Sequence, residues 1–155
     1  KLKTQVDYME KNNILFSHTS YHIINANNKI VSSRPARKKI KFQDLIKSCD
    51  IGLSTVILKL SLLNRNKLLF PNIKTKEDYV LWLKILKKTS FIKGINKNLT
   101  NYRKTKNSLS SNSFVNIING YKVYRDYMKM GIIESLYRLL ILSTNYLKKK
   151  IINDI

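Results

Sequence analysis

Acid is what this sequence lacks most. Nine Asp and Glu stand against 30 Lys and Arg, a formal net charge of +21. Carboxylate chemistry therefore has few places to sit, and only Glu77-Asp78 sets two carboxylates side by side. Cysteine is nearly absent. The single Cys49 excludes an intramolecular disulfide and has no CxxC partner; it reads as a small buried residue in a protein of a reducing compartment. No stretch of about 18 apolar residues runs free of charge, so no transmembrane helix is expected, and no signal peptide is seen. Gly-rich phosphate loops, GxSxG elbows and internal repeats are missing as well.

What is present suffices for a folded domain. The chain has 155 residues, 43% of them hydrophobic, enough to bury a real core as one domain or a large part of one. Its apolar residues are too many and too periodic for a disordered polycation. The cations are 24 Lys and 6 Arg. Nucleic-acid readers lean on Arg for bidentate contacts, so a solvated basic surface, or one resting on anionic lipid, accounts for the charge better. The chain opens on Lys1 rather than Met and is expected to be a piece of a longer product.

Residues 1–12 read as the end of a helix, with Leu2, Val6 and Met9 at helical spacing and Asn12-Asn13 as the stop. Residues 14–24 predict a strand, Asn25 to Asn28 a turn, and residues 29–31 a return strand. Residues 32–39 are basic, carry Pro35 and read as a loop, and residues 42–47 read as a short helix. Residues 51–58 predict a buried strand entered through Gly52, and residues 61–66 a turn or short helix. Two further strands are expected at residues 91–95 and 99–102, then a polar loop over 103–111. The rest reads as helix: residues 114–130, a break at Gly131, then 132–147 ending in Lys148-Lys149-Lys150. Such a basic amphipathic end can pack as a cap on the domain or lie on a membrane surface. His18 and His22 fall four apart in a strand, roughly 13 Å, too far to share one metal ion.

The stretch 75–88 is a helix with an acidic mouth. Thr75 is placed as its N-cap, Asp78 takes the capping-box position, and both acids complement the helix dipole. On that reading Glu77 and Asp78 only start a helix. The only tryptophan, Trp82, joins Val80, Leu81, Leu83, Ile85 and Leu86 on a broad apolar face, while Lys84, Lys87 and Lys88 face water.

The order of these pieces resembles glycosyltransferase family 2, in the second half of its GT-A-type domain. The pieces that carry the resemblance are Lys1-Leu2-Lys3-Thr4-Gln5-Val6, the strand Leu15-Phe16-Ser17-His18-Thr19-Ser20-Tyr21, Ile51-Gly52-Leu53-Ser54-Thr55-Val56, and Glu77-Asp78-Tyr79-Val80-Leu81-Trp82-Leu83. The strand over residues 95–99, Tyr102-Arg103 and Asn107-Ser108-Leu109-Ser110 complete it, so that it covers the chain to about Tyr127. The resemblance implies an α/β fold: a partial GT-A-like mixed sheet flanked by helices, followed by a C-terminal helical tail. Residues 1–110 would form the acceptor-side portion and residues 111–155 the helical extension.

The same resemblance implies an inverting sugar transfer from a nucleotide-sugar donor to a saccharide or lipid-linked acceptor, in cell-surface polysaccharide or glycolipid synthesis. It places the general base on Asp78, with Glu77 beside it, and the acceptor side on Ser54, Thr55 and, packed beneath, Trp82. Arg103, Lys104 and Lys106 would meet donor phosphate or simply form a solvated loop. Relatives that carry a His after the Tyr-Arg have their counterpart at Thr105. The family's Asp-x-Asp motif, which holds a divalent Mg or Mn ion on the diphosphate, occurs nowhere in this chain. No metal site or cofactor is expected within the chain, and the ion is expected only with an upstream donor-binding half. The setting implied is cytoplasmic, at the inner face of a membrane, with the basic C-terminal helix as a peripheral contact. The alternatives are a non-catalytic fragment and a basic binding module for anionic membrane or nucleic acid.

Overall fold

The structure is a computed structural model that describes residues 1–105 and 112–154. It opens with α1 (Leu2–Lys11), which stops at Asn12; Asn13 then takes a left-handed φ of 47°, a conformation Asn tolerates. Strand β1 (Phe16–Ile24) turns back into β2 (Ile30–Arg34), so the expected hairpin forms and its second strand runs further than residue 31. Short β3 (Lys39–Ile40) and α2 (Phe42–Leu45) follow, then β4 (Ile57–Leu58), α3 (Leu60–Asn66), α4 (Glu77–Leu86) and β5 (Ile92–Arg103). The chain closes with α5 (Ser113–Lys122), a wide π turn at Val123–Tyr127, and α6 (Ile132–Asp154).

The sheet order is β2-β1-β5-β3, with β4 pairing β1 beside its start. β1 and β5 run parallel at the centre; β2 and β4 pair antiparallel with β1, and β3 antiparallel with β5. The sheet is therefore mixed, flanked by helices, with a helical C-terminal part, as the α/β expectation had it.

Three local expectations are corrected. Residues 51–58 are not one buried strand. A 3-10 turn at Leu53–Thr55 interrupts them, closed by the Thr55 amide at 3.0 Å and the Thr55 hydroxyl at 2.6 Å, both donating to the Gly52 carbonyl. Only Ile57 and Leu58 pair. Residues 91–103 form one strand rather than two. The pairing passes from Thr19↔Ile95 to Ser20↔Asn98, so Asn96 and Lys97 bulge from β5 where the sequence reads as a gap. The Ser20 hydroxyl fills that irregularity, donating to Asn96 Oδ1 at 2.9 Å and accepting from the Ala36 amide at 2.8 Å. In α1 only Met9 of the three apolar residues is buried; the inward place goes to Gln5, whose Nε2 donates to Ser17 Oγ at 3.1 Å and to the Thr55 carbonyl at 3.0 Å.

α4 is the centre of the core. Its residues from Tyr79 to Leu83, with Ile85 and Leu86, are all buried, as expected of a helix covered on every side. Around it pack Phe16, Ile40, Leu45, Ile46 and Ile51 from the sheet side and Val123, Tyr124, Met128 and Leu142 from the C-terminal helices. One core thus joins residues on both sides of the boundary expected at residue 110.

Candidate active site

The mouth of α4 is built differently from the cap that its sequence suggests. The helix starts at Glu77, and the residue before it, Lys76, stands at a left-handed φ of 70° with no side-chain cap bond. Thr75 is not the N-cap. Its buried hydroxyl instead accepts from Asn119 Nδ2 at 2.9 Å, tying the entrance of α4 to α5. No capping box forms; Asp78 instead serves the first turn directly. Its Oδ1 accepts the Tyr79 amide at 2.7 Å.

Asp78 is half-buried, and burial is the main cause that raises its pKa above the ordinary carboxylate value. The Glu77 charge pushes the same way, while the Tyr79 amide and the Lys76 ammonium pull against it. A carboxylate with a raised pKa is a stronger proton acceptor, which is what a general base requires. Below it the helix is fixed by two buried tyrosines. Tyr79 Oη lies 2.9 Å from the Leu45 carbonyl, Tyr124 Oη 2.9 Å from the Ile46 carbonyl, and the two hydroxyls 3.1 Å from each other. Two protons serve three contacts, so one is shared. Burial raises both phenols, Tyr124 to about 12, which keeps them neutral donors.

A second group of charges gathers around Asp50, on the loop after α2. Asp50 accepts the Ser48 hydroxyl at 2.9 Å, lies 3.6 Å from Arg37 and pairs with Lys149 of α6. Cys49 lies within electrostatic reach of Asp78, Lys76, Asp50 and Lys149. It is exposed, not the small buried residue expected. Asp50 and Lys149 had no signature in the sequence, because they are 99 positions apart and only the fold pairs them.

Other expected site residues fall as follows. Ser54 is exposed on the 3-10 turn, and Thr55 is buried beneath it, its hydroxyl holding the turn closed. The ring of Tyr21 from β1 lies against Gly52, where an added Cβ would meet it at 3.5 Å. Trp82 is 1% exposed and packs edge-on to Phe16 at 4.9 Å, so it supports the floor and meets no solvent-borne ligand. Arg103 is committed to the β1–β2 turn. Its Nη1 donates to the carbonyls of Asn25 at 3.1 Å and Ala26 at 3.2 Å, and its Nη2 to Asn28 Oδ1 at 2.7 Å. Lys104 and Thr105 are exposed beyond it, and Lys106 lies outside the described residues, as does the Asn107-Ser108-Leu109-Ser110 piece.

His18 and His22 do not form a centre. Among the described residues no three His, Cys, Asp or Glu side chains come together to hold a metal ion. His18 is buried, and its Nε2 has no hydrogen-bond partner. Burial depresses its pKa from 6.5 to about 4, against the opposing pull of Asp50 and the Arg37 carbonyl. The unfolded chain therefore binds this proton more readily, and His18 costs stability as pH falls from about 6.5 towards 4. The full loss is about 3 kcal/mol. His18→Gln is expected to flatten that part of a denaturation-midpoint profile against pH; an unchanged slope would assign the loss to other groups.

Comparisons with known proteins bear on this arrangement. The chain is 40% identical over 141 residues to the UDP-Glc:alpha-D-GlcNAc-diphosphoundecaprenol beta-1,3-glucosyltransferase WfgD of Escherichia coli, covering 90% of this chain and 54% of that protein. It is 27% identical over 152 residues to the putative teichuronic acid biosynthesis glycosyltransferase TuaG of Bacillus subtilis, 97% of this chain and 60% of that one. An uncharacterized glycosyltransferase of Rickettsia conorii, RC0461, is 42% identical over 106 residues, 66% of this chain and 17% of its own length. No family model matches the chain. The resemblance to glycosyltransferases is thus borne out over nearly the whole sequence. The chain spans about half the length of WfgD.

Proposed function

We propose that this chain carries the acceptor side and the general base of an inverting, nucleotide-sugar-dependent glycosyltransferase of family 2. The observation that supports it is Asp78. It is a half-buried carboxylate of raised pKa at the mouth of the buried central helix, in a chain similar to glycosyltransferases across that region.

In this reading one Asp78 oxygen accepts the proton of an acceptor hydroxyl as that oxygen attacks the anomeric carbon of the donor. The new glycosidic bond forms on the face opposite the breaking bond, and the nucleoside diphosphate departs with the bonding electron pair. Configuration therefore inverts. Glu77 acts on Asp78 by charge, raising its proton affinity. Ser54, exposed beside the buried Thr55, borders the acceptor. Among the described residues no His, Cys, Asp or Glu cluster fits a divalent ion.

The acceptor class follows the relatives: WfgD acts on a diphosphoundecaprenol-linked sugar, and TuaG is assigned to teichuronic acid synthesis. A saccharide on a polyprenyl diphosphate carrier, met at the cytoplasmic face of a membrane during surface-polysaccharide synthesis, is the acceptor proposed here. The test incubates the complete gene product with UDP-sugars and membrane-extracted lipid acceptor. Sugar should appear in the lipid fraction. Failure of every nucleotide sugar to label any lipid or saccharide would end the reading in favour of a non-catalytic fragment.

A further inference from the structure

We propose that the outward face of α6 docks on an anionic lipid bilayer, with the helix lying in the plane of the surface. The observation is an apolar face left without a partner. Ile133 is 84% exposed, Leu136 54%, Tyr137 59%, Leu140 63% and Leu147 54%. Spacings of three, four and seven residues put these on one side of a helix. The opposite side is already used: Ser135 and Leu142 are buried, and Leu139 packs against the core. The domain therefore covers one apolar side of α6 and leaves the other in water, along roughly 24 Å from residue 132 to 147. The adjoining α5 adds exposed Phe114 and Ile117.

Charge selects the occupant. Residues 112–155 contain seven Lys and Arg against three Asp and Glu, within a chain of net charge +21. Exposed Lys129 precedes the stripe and exposed Lys148 follows it. A second copy of so basic a chain is repelled, whereas an anionic bilayer attracts it and accepts the apolar stripe. Tyr137, on this face, has the amphipathic ring suited to the headgroup level. Among the described residues no helix is long and apolar enough to cross a membrane, so α6 lies on the surface.

The docked face is also oriented with respect to Asp78. Asn145 Nδ2 donates to the Lys47 carbonyl at 2.9 Å, and Lys149 pairs with Asp50 and Ser48. α6 is thereby stitched to the loop of Lys47 to Asp50, whose Cys49 is within electrostatic reach of Asp78, and a bilayer under α6 would meet that site at a fixed height. The docking itself does not depend on the transfer reaction.

The test is cosedimentation of the full chain with phosphatidylglycerol-containing vesicles and with pure phosphatidylcholine vesicles. The chain is expected to bind the former far more strongly. The double variant Ile133→Asp, Leu140→Asp, at two exposed positions, should keep its helical circular dichroism and lose at least ~10-fold in partitioning. Undiminished binding by the double variant would overturn the proposal, since attachment would then be electrostatic alone. No vesicle binding by the wild-type chain would overturn it too, including the case in which the same substitutions dissolve a dimer instead.

Discussion

Asp78→Asn is expected to cut the sugar-transfer rate by about 10²–10⁴ while leaving the fold intact, the range typical of removing a positioned general base. The variant keeps the shape, and its side-chain oxygen can still accept the Tyr79 amide that Asp78 Oδ1 accepts at 2.7 Å. On the proposed mechanism, what it loses is the site for the acceptor's proton. Stability separates this from a structural role. The folded state raises the Asp78 pKa, chiefly by burial, so folding penalises the ionised form at neutral pH. Neutralising it should leave the melting temperature unchanged or slightly raised. A fall in kcat with no fall in melting temperature is the signature of a base; parallel losses would point to a helix start and nothing more. The pH profile supplies a second readout. Activity should fall as pH drops through the raised Asp78 pKa, and Glu77→Gln should move that limb to lower pH, because the Glu77 charge helps to hold it up.

Gly94→Ala is expected to be the most destabilising small substitution near the site, by about 3 kcal/mol, at the upper end of overpacking costs. A Cβ built at Gly94 would stand 2.2 Å from the Arg37 carbonyl oxygen and 2.8 Å from His18 Nε2. The first of these is backbone, and it cannot swing aside. The segment before β3 lies over β5 here, with the Gly94 amide donating to the Lys38 carbonyl at 3.2 Å. Relief would have to pull that segment away, taking Arg37 from Asp50, to which it is ion-paired. For a domain of this size the loss corresponds to a midpoint about 6–12 °C lower. Gly131→Ala, where an added Cβ meets nothing within 4 Å, is the control and should change little. Equal melting temperatures for both variants would refute the close approach.

What the sequence showed in advance follows from the range of the forces involved. The hairpin, the apolar α4 and the paired acids are local patterns, and each was legible from residues a few positions apart. The mixed sheet was legible as a class. Its details were not: β5 reads as two strands because Asn96 and Lys97 break the alternation, and only the Ser20 hydroxyl across the sheet shows why the strand continues. The start of α4 was misplaced for a similar reason. Thr75 is a good N-cap by type, but Asn119, 44 residues on, takes its hydroxyl. Arg103 looked available for phosphate until the turn at Asn25 to Asn28 claimed its guanidinium. Asp50 with Lys149 could not be seen at all, since neither has a neighbour in sequence that marks it.

The measurement that tests the central claim most directly is the configuration of the sugar linkage in the product, read by NMR after transfer from an α-linked nucleotide sugar. One displacement assisted by Asp78 predicts a β-linked product from the wild-type protein. An α-linked product would contradict it, because retention requires a course that a single base on the acceptor side does not provide.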